Sequence, residues 1–279
     1  MGGRFALFPS FVFQIRTPLE EDGEIVPGDL GRQAAVADKI IRSNLTLDVN
    51  WKSENQMGWA ALHYACEIGF DSVISVLLDH PAIEVNQEDD AQWTPFFRAC
   101  FNGHTSCVRL LLKDFRVRVN DPEAGGGHTP LWHAASHGSQ DIIKRWIASG
   151  REMDLGQPGN RRTDVIGAAK EHEKTGVATL LERFKSDASK TRHEIRGELG
   201  WYDDLAAEMF ALVVFVSDGL LQIKDTKTTT PAARFFSIAR RLPLELQMVL
   251  CRRVVGSDKE IIPSKDSEVA FKELVRVFW

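Results

Sequence analysis

The sequence predicts an all-α fold, a solenoid of helix-turn-helix repeats joined by short hairpin links, followed by a helical C-terminal region. Three observations carry this. First, between Gly58 and Phe184 one pattern is written four times, with spacings of 34, 35 and 34 residues. The copies begin GWAALHYACEIG at Gly58, QWTPFFRACFNG at Gln92, GHTPLWHAASHG at Gly127 and RRTDVIGAAKEH at Arg161. A period of this length marks a repeat architecture, each copy being one supersecondary unit. Second, the later half of the first three copies places apolar residues at i, i+1, i+4 and i+5, one stripe of a helix, and the fourth keeps three of the four. Third, the earlier half carries paired small residues, and glycine stands between the halves of the first three copies.

In chain order, the opening Phe5–Ile15 is apolar and partly alternating, as in a half-buried extended segment over 1–28. A secretory signal is the other reading of this stretch, opposed by Pro9 within the apolar run and by the lone cation Arg4 ahead of it. Ala6 stands where N-myristoylation needs Ser or Thr. A helix is expected from about Leu30 to Ser43; its Val36, Ala37, Ile40 and Ile41, and the exit Asp48-Val49-Asn50, echo the second helix of a repeat. This makes it a degenerate N-terminal cap of a stack over 29–184, whose repeats lie near 58–91, 92–126, 127–160 and 161–184.

The stripe of the second helices reads Val73, Ile74, Leu77, Leu78, then Cys107, Val108, Leu111, Leu112, then Ile142, Ile143, Trp146, Ile147, and finally Val177, Leu180, Leu181. Gly69, Gly103 and Gly138 suit the left-handed residue that ends each first helix. Ala65, Cys66, Ala99, Cys100, Ala134, Ala135, Ala168 and Ala169 fall where neighbouring first helices press together, so size explains them. One such unit cannot bury its apolar face alone, and stacking supplies the core.

Residues 185–279 are expected to form a C-terminal helical domain. The charged stretch Phe184–Trp201 reads as a linker or an exposed helix. The apolar run Leu205–Val216 is far shorter than the ~20 residues that span a bilayer, so it reads as a buried helix. Lys224–Pro231 reads as a loop. Phe235, Ile238 and Ala239 are expected on one side of a helix, and Pro243 to start another whose apolar face is Leu246, Val249 and Leu250. A last helix from Ser267 to Trp279 would place Val269, Leu274, Val275 and Phe278 at helical spacing.

The repeats resemble the ankyrin repeat. Thr94-Pro95 and Thr129-Pro130-Leu131 match its T-P-L-H opening, His63 its histidine, and the Ala pairs, Gly turns and paired leucines its two helices. Glu84–Asn86 and Arg118–Asn120 fit its hairpin lead-in. The histidine position is Phe97, Trp132 and Ile166 in the other copies, and copy four lacks both the TPL and the glycine, as a terminal cap would. The resemblance implies protein–protein recognition through hairpin tips and the concave face of the first helices. Carried onto this chain, the outward hairpin positions are Trp59, Trp93, His128 and Arg162, and the exposed first-helix positions are Glu67, Ile68, Phe101, Asn102, Ser136 and His137. Trp59, Trp93, Ile68 and Phe101 are either interface hot spots or packing sites for the terminal segments of this same chain.

Leu242-Pro243-Leu244-Glu245-Leu246, followed by Met248, Val249 and Leu250, is similar to the opening of an F-box. Together with the repeats ahead of it, the tail resembles the truncated F-box (PRANC) type of viral ankyrin proteins and the tails of certain fungal ankyrin proteins. That likeness implies an adaptor contact with a cullin-type ubiquitin ligase through Leu242, Pro243, Leu246 and Leu250. A leucine-rich helix opened by Leu-Pro is also frequent in unrelated bundles, so both readings stand at this point.

Composition and motifs narrow the function. The net charge of -5 argues against nucleic acid as the main partner. Four cysteines, two of them in the small-residue slot, form no disulfide framework and point to a reducing, intracellular setting, cytoplasmic or nuclear. His133 and His137 stand one turn apart, a zinc-capable spacing, but Ala134 occupies the zincin glutamate position and the repeat accounts for both. Gly125–Gly127 lacks the setting and lysine of a phosphate cradle and widens a hairpin tip instead. Cys107 and Cys251 lie in helical stripes, and Asp89-Asp90 and Asp203-Asp204 read as solvated or capping carboxylates. No constellation of nucleophile and base stands out, so the expectation is a protein-binding module without catalytic residues, metal, cofactor or membrane contact.

Overall fold

The computed structural model describes residues 48–53, 57–160, 162–221, 231–256, 262 and 264–278. The expected segment 1–28, the helix near Leu30–Ser43 and residues 224–230 of the expected loop lie outside them. Thirteen helices and no strand are found among the described residues. Those residues fall into two compact units, the first ending at Thr191 and the second beginning at Arg192.

The first unit contains four helix pairs: α1 Ala61–Ile68 with α2 Asp71–Leu78, α3 Pro95–Phe101 with α4 Thr105–Lys113, α5 Pro130–His137 with α6 Gln140–Ser149, and α7 Val165–Glu171 with α8 Thr175–Ser186. The Thr-Pro dipeptides explain where α3 and α5 start. The Thr94 and Thr129 hydroxyls accept the amide hydrogens of Phe97 and Trp132, both at 3.2 Å, and proline at the first helical position loses no bond. Copy four lacks that dipeptide, and its helix starts one residue later, capped by Asp164, which accepts from the Gly167 amide at 2.8 Å. Gly69, Gly103 and Gly138 turn the chain at φ values of 89°, 75° and 80°. In copy four Glu173 takes that place at 59°, a conformation that a side chain disfavours.

The first helices α1, α3, α5 and α7 pack on one another in sequence, and α2, α4, α6 and α8 form a parallel row. All eight small residues of the first helices are buried, which lets the helix backbones approach closely. Leu77, Leu111 and Trp146 are each 0% exposed, so the stripe of the second helices is the core, as the periodicity requires. Burial of each such side chain stabilises the stack by about 1.5–3 kcal/mol.

A ladder of asparagines ties consecutive links together. Asn50 bridges Ala82 and Glu84 at 2.7 and 2.8 Å, and Asn86 bridges Arg116 and Arg118 at 2.7 Å each. Asn120 accepts from the Asp154 amide at 3.3 Å. Each amide side chain satisfies backbone groups that an extended link would otherwise leave unpaired.

The helix α9 (Ala188–Glu198) spans the division between the units; in the second unit α11 (Pro231–Ala239), α12 (Leu244–Val255) and α13 (Ser264–Phe278) pack against α10 (Trp201–Ser217). The run from Leu205 is the buried helix expected; Ala206, Ala207, Phe210, Ala211 and Val213 centre the core. Three expectations need correction. Pro231 opens α11 rather than closing a loop, and α13 begins at Ser264, ahead of Ser267. Of the apolar face assigned to α12, Leu246 and Val249 are turned outward, 51% and 36% exposed, while Leu250 packs half-buried against the core and Gln247, Cys251 and Arg252 are buried. Gln247 donates to the Leu242 carbonyl at 2.9 Å and Arg252 pairs with Asp203 at 3.2 Å. These polar partners fix the rotation of the helix against its apolar count. Likewise Ile238, Val269 and Val275 are exposed, whereas Ala239 and Ala270 face the core.

Candidate functional site

The hairpin tips and first helices of copies one to three bring the expected partner-binding residues around one buried cation. Arg98, on α3, is 5% exposed. Its guanidinium donates to Asp89 at 2.8 and 2.5 Å and to Glu67 at 2.8 Å. It also lies 4.1 Å from the Trp59 ring centroid and 5.2 Å from that of Trp93. Asp89 in turn accepts the amides of Ala91 and Trp93, which fixes the hairpin tip. Asn102 donates to Glu67 at 3.0 Å. One carboxylate thus shapes the loop while a neutralised arginine, stacked between indoles, locks loop to helix.

From this centre a row of rings continues along the first helices. Trp93 meets Phe97 and Phe101 at 4.7 and 5.0 Å, and Phe101 meets His133 and His137 at 5.2 and 5.3 Å. His128 stacks on Trp132 at 3.9 Å, and Trp132 approaches His172 at 6.2 Å. Two histidines of the face are held neutral. Burial lowers the His63 pKa to about 4, with Nδ1 accepting from the Ala60 amide at 3.2 Å and Nε2 donating to the Trp93 carbonyl at 3.1 Å. Burial also lowers His133 to about 4, and the Glu123 charge offsets only part of that effect.

Of the residues expected to bind a partner, Glu67, Asn102, Trp59, Trp93, Phe101 and His137 belong to this connected surface. His128 joins it through Trp132, and Ile68 is half-buried on α1. Arg162 is exposed on the tip of copy four, its amide bonded to Asn160. Ser136 is a correction. Its side chain is buried and its hydroxyl donates to the His133 carbonyl at 3.0 Å, so it points into the stack. Trp59 and Trp93 also differ from plain surface groups, because both are half-buried against Arg98.

Asp89 is not solvated; its carboxylate is fully buried in the Arg98 pair. Arg98 itself was not picked out from sequence. A charge at a first-helix position filled by Tyr64, His133 and Gly167 elsewhere was the available signal. The residues expected as an adaptor contact divide, with Pro243 and Leu246 exposed and Leu242 and Leu250 half-buried. All four cysteines are buried free thiols, pushed up by burial, Cys107 to about 12 and Cys251 to about 11, so none is an activated nucleophile.

Comparison with known proteins agrees with this geometry. The family model described as ankyrin repeats (3 copies) matches residues 33–121. The chain is similar to SMC5-SMC6 complex localization factor protein 1 of Bos taurus, 30% identical over 169 residues, covering 56% of this chain and 16% of that protein. It is also similar to ankyrin repeat protein nuc-2 of Neurospora crassa, 26% identical over 149 residues, 53% of this chain and 14% of that one. Tyrosine-protein kinase HTK16 of Hydra vulgaris is 26% identical over 159 residues, 55% of this chain and 19% of the kinase. The match therefore spans less than a fifth of each relative's length. No helix among the described residues is long and apolar enough to cross a membrane. The chain carries ankyrin repeats, folded as an all-α solenoid.

Proposed function

We propose that the chain is a non-catalytic docking module that grips a protein on the first-helix face of copies one to three. The observation that supports this most is the continuous ring-lined surface from Trp59 through Arg98, Trp93 and Phe101 to His137. Its tryptophans are of a residue type that dominates interface energetics, and the buried Arg98 network holds them in place before a partner arrives. The polar groups Glu67, Asn102 and His137 border the rings and supply directional bonds. A role in localising a protein complex, of the kind named for the bovine relative, fits such a module. The matched proteins bring no support to the adaptor reading of Leu242, Pro243, Leu246 and Leu250.

Because Trp59 and Trp93 also brace Arg98, their removal tests fold and binding together. Asn102 and His137 are exposed and carry a cleaner test. In affinity capture from native cells, Asn102→Ala with His137→Ala is expected to lower partner recovery about tenfold, with the helical CD signal unchanged. Full recovery by that double variant would overturn this placement of the interface.

A further inference from the structure

We propose that Glu123, His128 and His133 form a two-histidine, one-carboxylate binding site for a zinc-class divalent ion. The site is independent of the docking reading. Each residue offers one ligand atom, and the three atoms lie within 4.8 Å of one another. His128 Nδ1 is 3.0 Å from Glu123 Oε1, and His133 Nε2 is 3.8 Å from the same oxygen. Zinc bonds of about 2.0–2.1 Å in a tetrahedron hold ligand atoms roughly 3.4 Å apart, so the cluster needs only a small closure.

Three independent features favour an ion here over a plain polar cluster. His133 Nε2 is buried and has no hydrogen-bond partner, since 3.8 Å to Glu123 is too long for a hydrogen bond. In its Nδ1–H tautomer this imidazole presents an unused buried lone pair at Nε2, the form that metals take up. Second, the hairpin tip is locked in register by the Glu123 amide to the His128 carbonyl at 2.9 Å and the Gly127 amide to the Glu123 carbonyl at 3.1 Å. Glu123 and His128 therefore face each other by construction, while α5 supplies His133. Third, a Cβ on Gly126 would stand 2.5 Å from His128 Nδ1 and 2.6 Å from Glu123 Oε1, so the bare glycine keeps the space between the two donors clear.

The spacing is Glu-x4-His-x4-His, a short chelate of hairpin and helix. Soft thiolates are absent from the cluster, and two imidazoles with one carboxylate suit Zn²⁺ or Co²⁺ over Ca²⁺ or Mg²⁺. The fourth position falls to water. Binding would clip the tip of copy three to its own helix, fixing the orientation of His128 on Trp132.

The test is a titration of the chelator-stripped 279-residue chain with Co²⁺, read by visible d–d absorption and followed by displacement with Zn²⁺. One equivalent is expected, with four-coordinate absorption, no thiolate charge-transfer band, and a higher Tm in Zn²⁺. Glu123→Gln and His128→Asn are each expected to weaken binding at least about tenfold, while His137→Ala leaves it unchanged. Gly126→Ala, which keeps every ligand, is expected to weaken it too; this variant and His128→Asn carry the test if His133→Asn fails to fold. Absence of saturable binding overturns the proposal. So does binding that survives Glu123→Gln and His128→Asn, or that is lost in His137→Ala.

Discussion

His63 joins two repeats through both ring nitrogens. Nδ1 accepts from Ala60 at the start of its own helix, and Nε2–H donates to the Trp93 carbonyl of the next hairpin. That arrangement requires the neutral ring, and burial lowers the pKa from the ordinary 6.5 to about 4. The unfolded chain therefore binds a proton more readily than the folded one between these values. Stability from this group is complete above pH 6.5 and is lost as pH falls toward 4, by about 3 kcal/mol at most. Urea midpoints measured from pH 7.5 down to 4.5 are expected to fall in the wild type and to fall less in His63→Gln. An equal decline in both would show that His63 is not the titrating group, leaving His133, depressed in the same direction, as the source.

Each hairpin link has to be fastened to the helix it precedes, and copy two does so with charge. The Asp89 carboxylate is fully buried against Arg98, whereas Glu67, on the other side of the guanidinium, is 30% exposed. Breaking a buried pair leaves an uncompensated charge and costs about 3–5 kcal/mol, while a part-exposed pair is worth about 1 kcal/mol or less. Asp89→Asn is thus expected to destabilise the protein several times more than Glu67→Gln in chemical denaturation. Comparable losses would mean that the guanidinium is held mainly by its indole neighbours. Copy three has no such pair; Glu123 and His128 meet across its tip instead.

Because each helix pair touches mainly its sequence neighbours, stability in the stack is passed along one dimension. Trp146 is fully buried on α6 and its ring packs edge-on to Phe96 at 5.1 Å, so it joins copies two and three. Trp146→Ala is expected to cost about 3–5 kcal/mol. Amide exchange should rise first in α3–α8, the copy itself and its two neighbours, and an equal rise in α1–α2 would contradict neighbour-only coupling.

Much of this was legible in the chain itself. The 34-residue period, the paired small residues and the turn glycines predict the helix pairs, because solenoid packing repeats the same local demand at every copy. The first-helix face was legible at Glu67, Phe101, Asn102 and His137 for the same reason. Ser136 was not, since one helical step decides between solvent and stack. The Arg98–Asp89 pair and the Glu123–His128–His133 cluster break the repeat, so no periodicity announces them; they exist only once hairpin and helix are brought face to face. In the second unit the apolar spacing of α12 pointed to the core at Leu250 and away from it at Leu246 and Val249. With no repeat to impose a register, the rotation of α12 is held by Gln247 bonding back to the Leu242 carbonyl and by Arg252 pairing with Asp203 on α10. The sequence by itself determined the repeat architecture and its core, because these depend on local pattern. The tertiary structure alone decided which charged and polar side chains meet, because those contacts depend on distances between segments that no local pattern encodes.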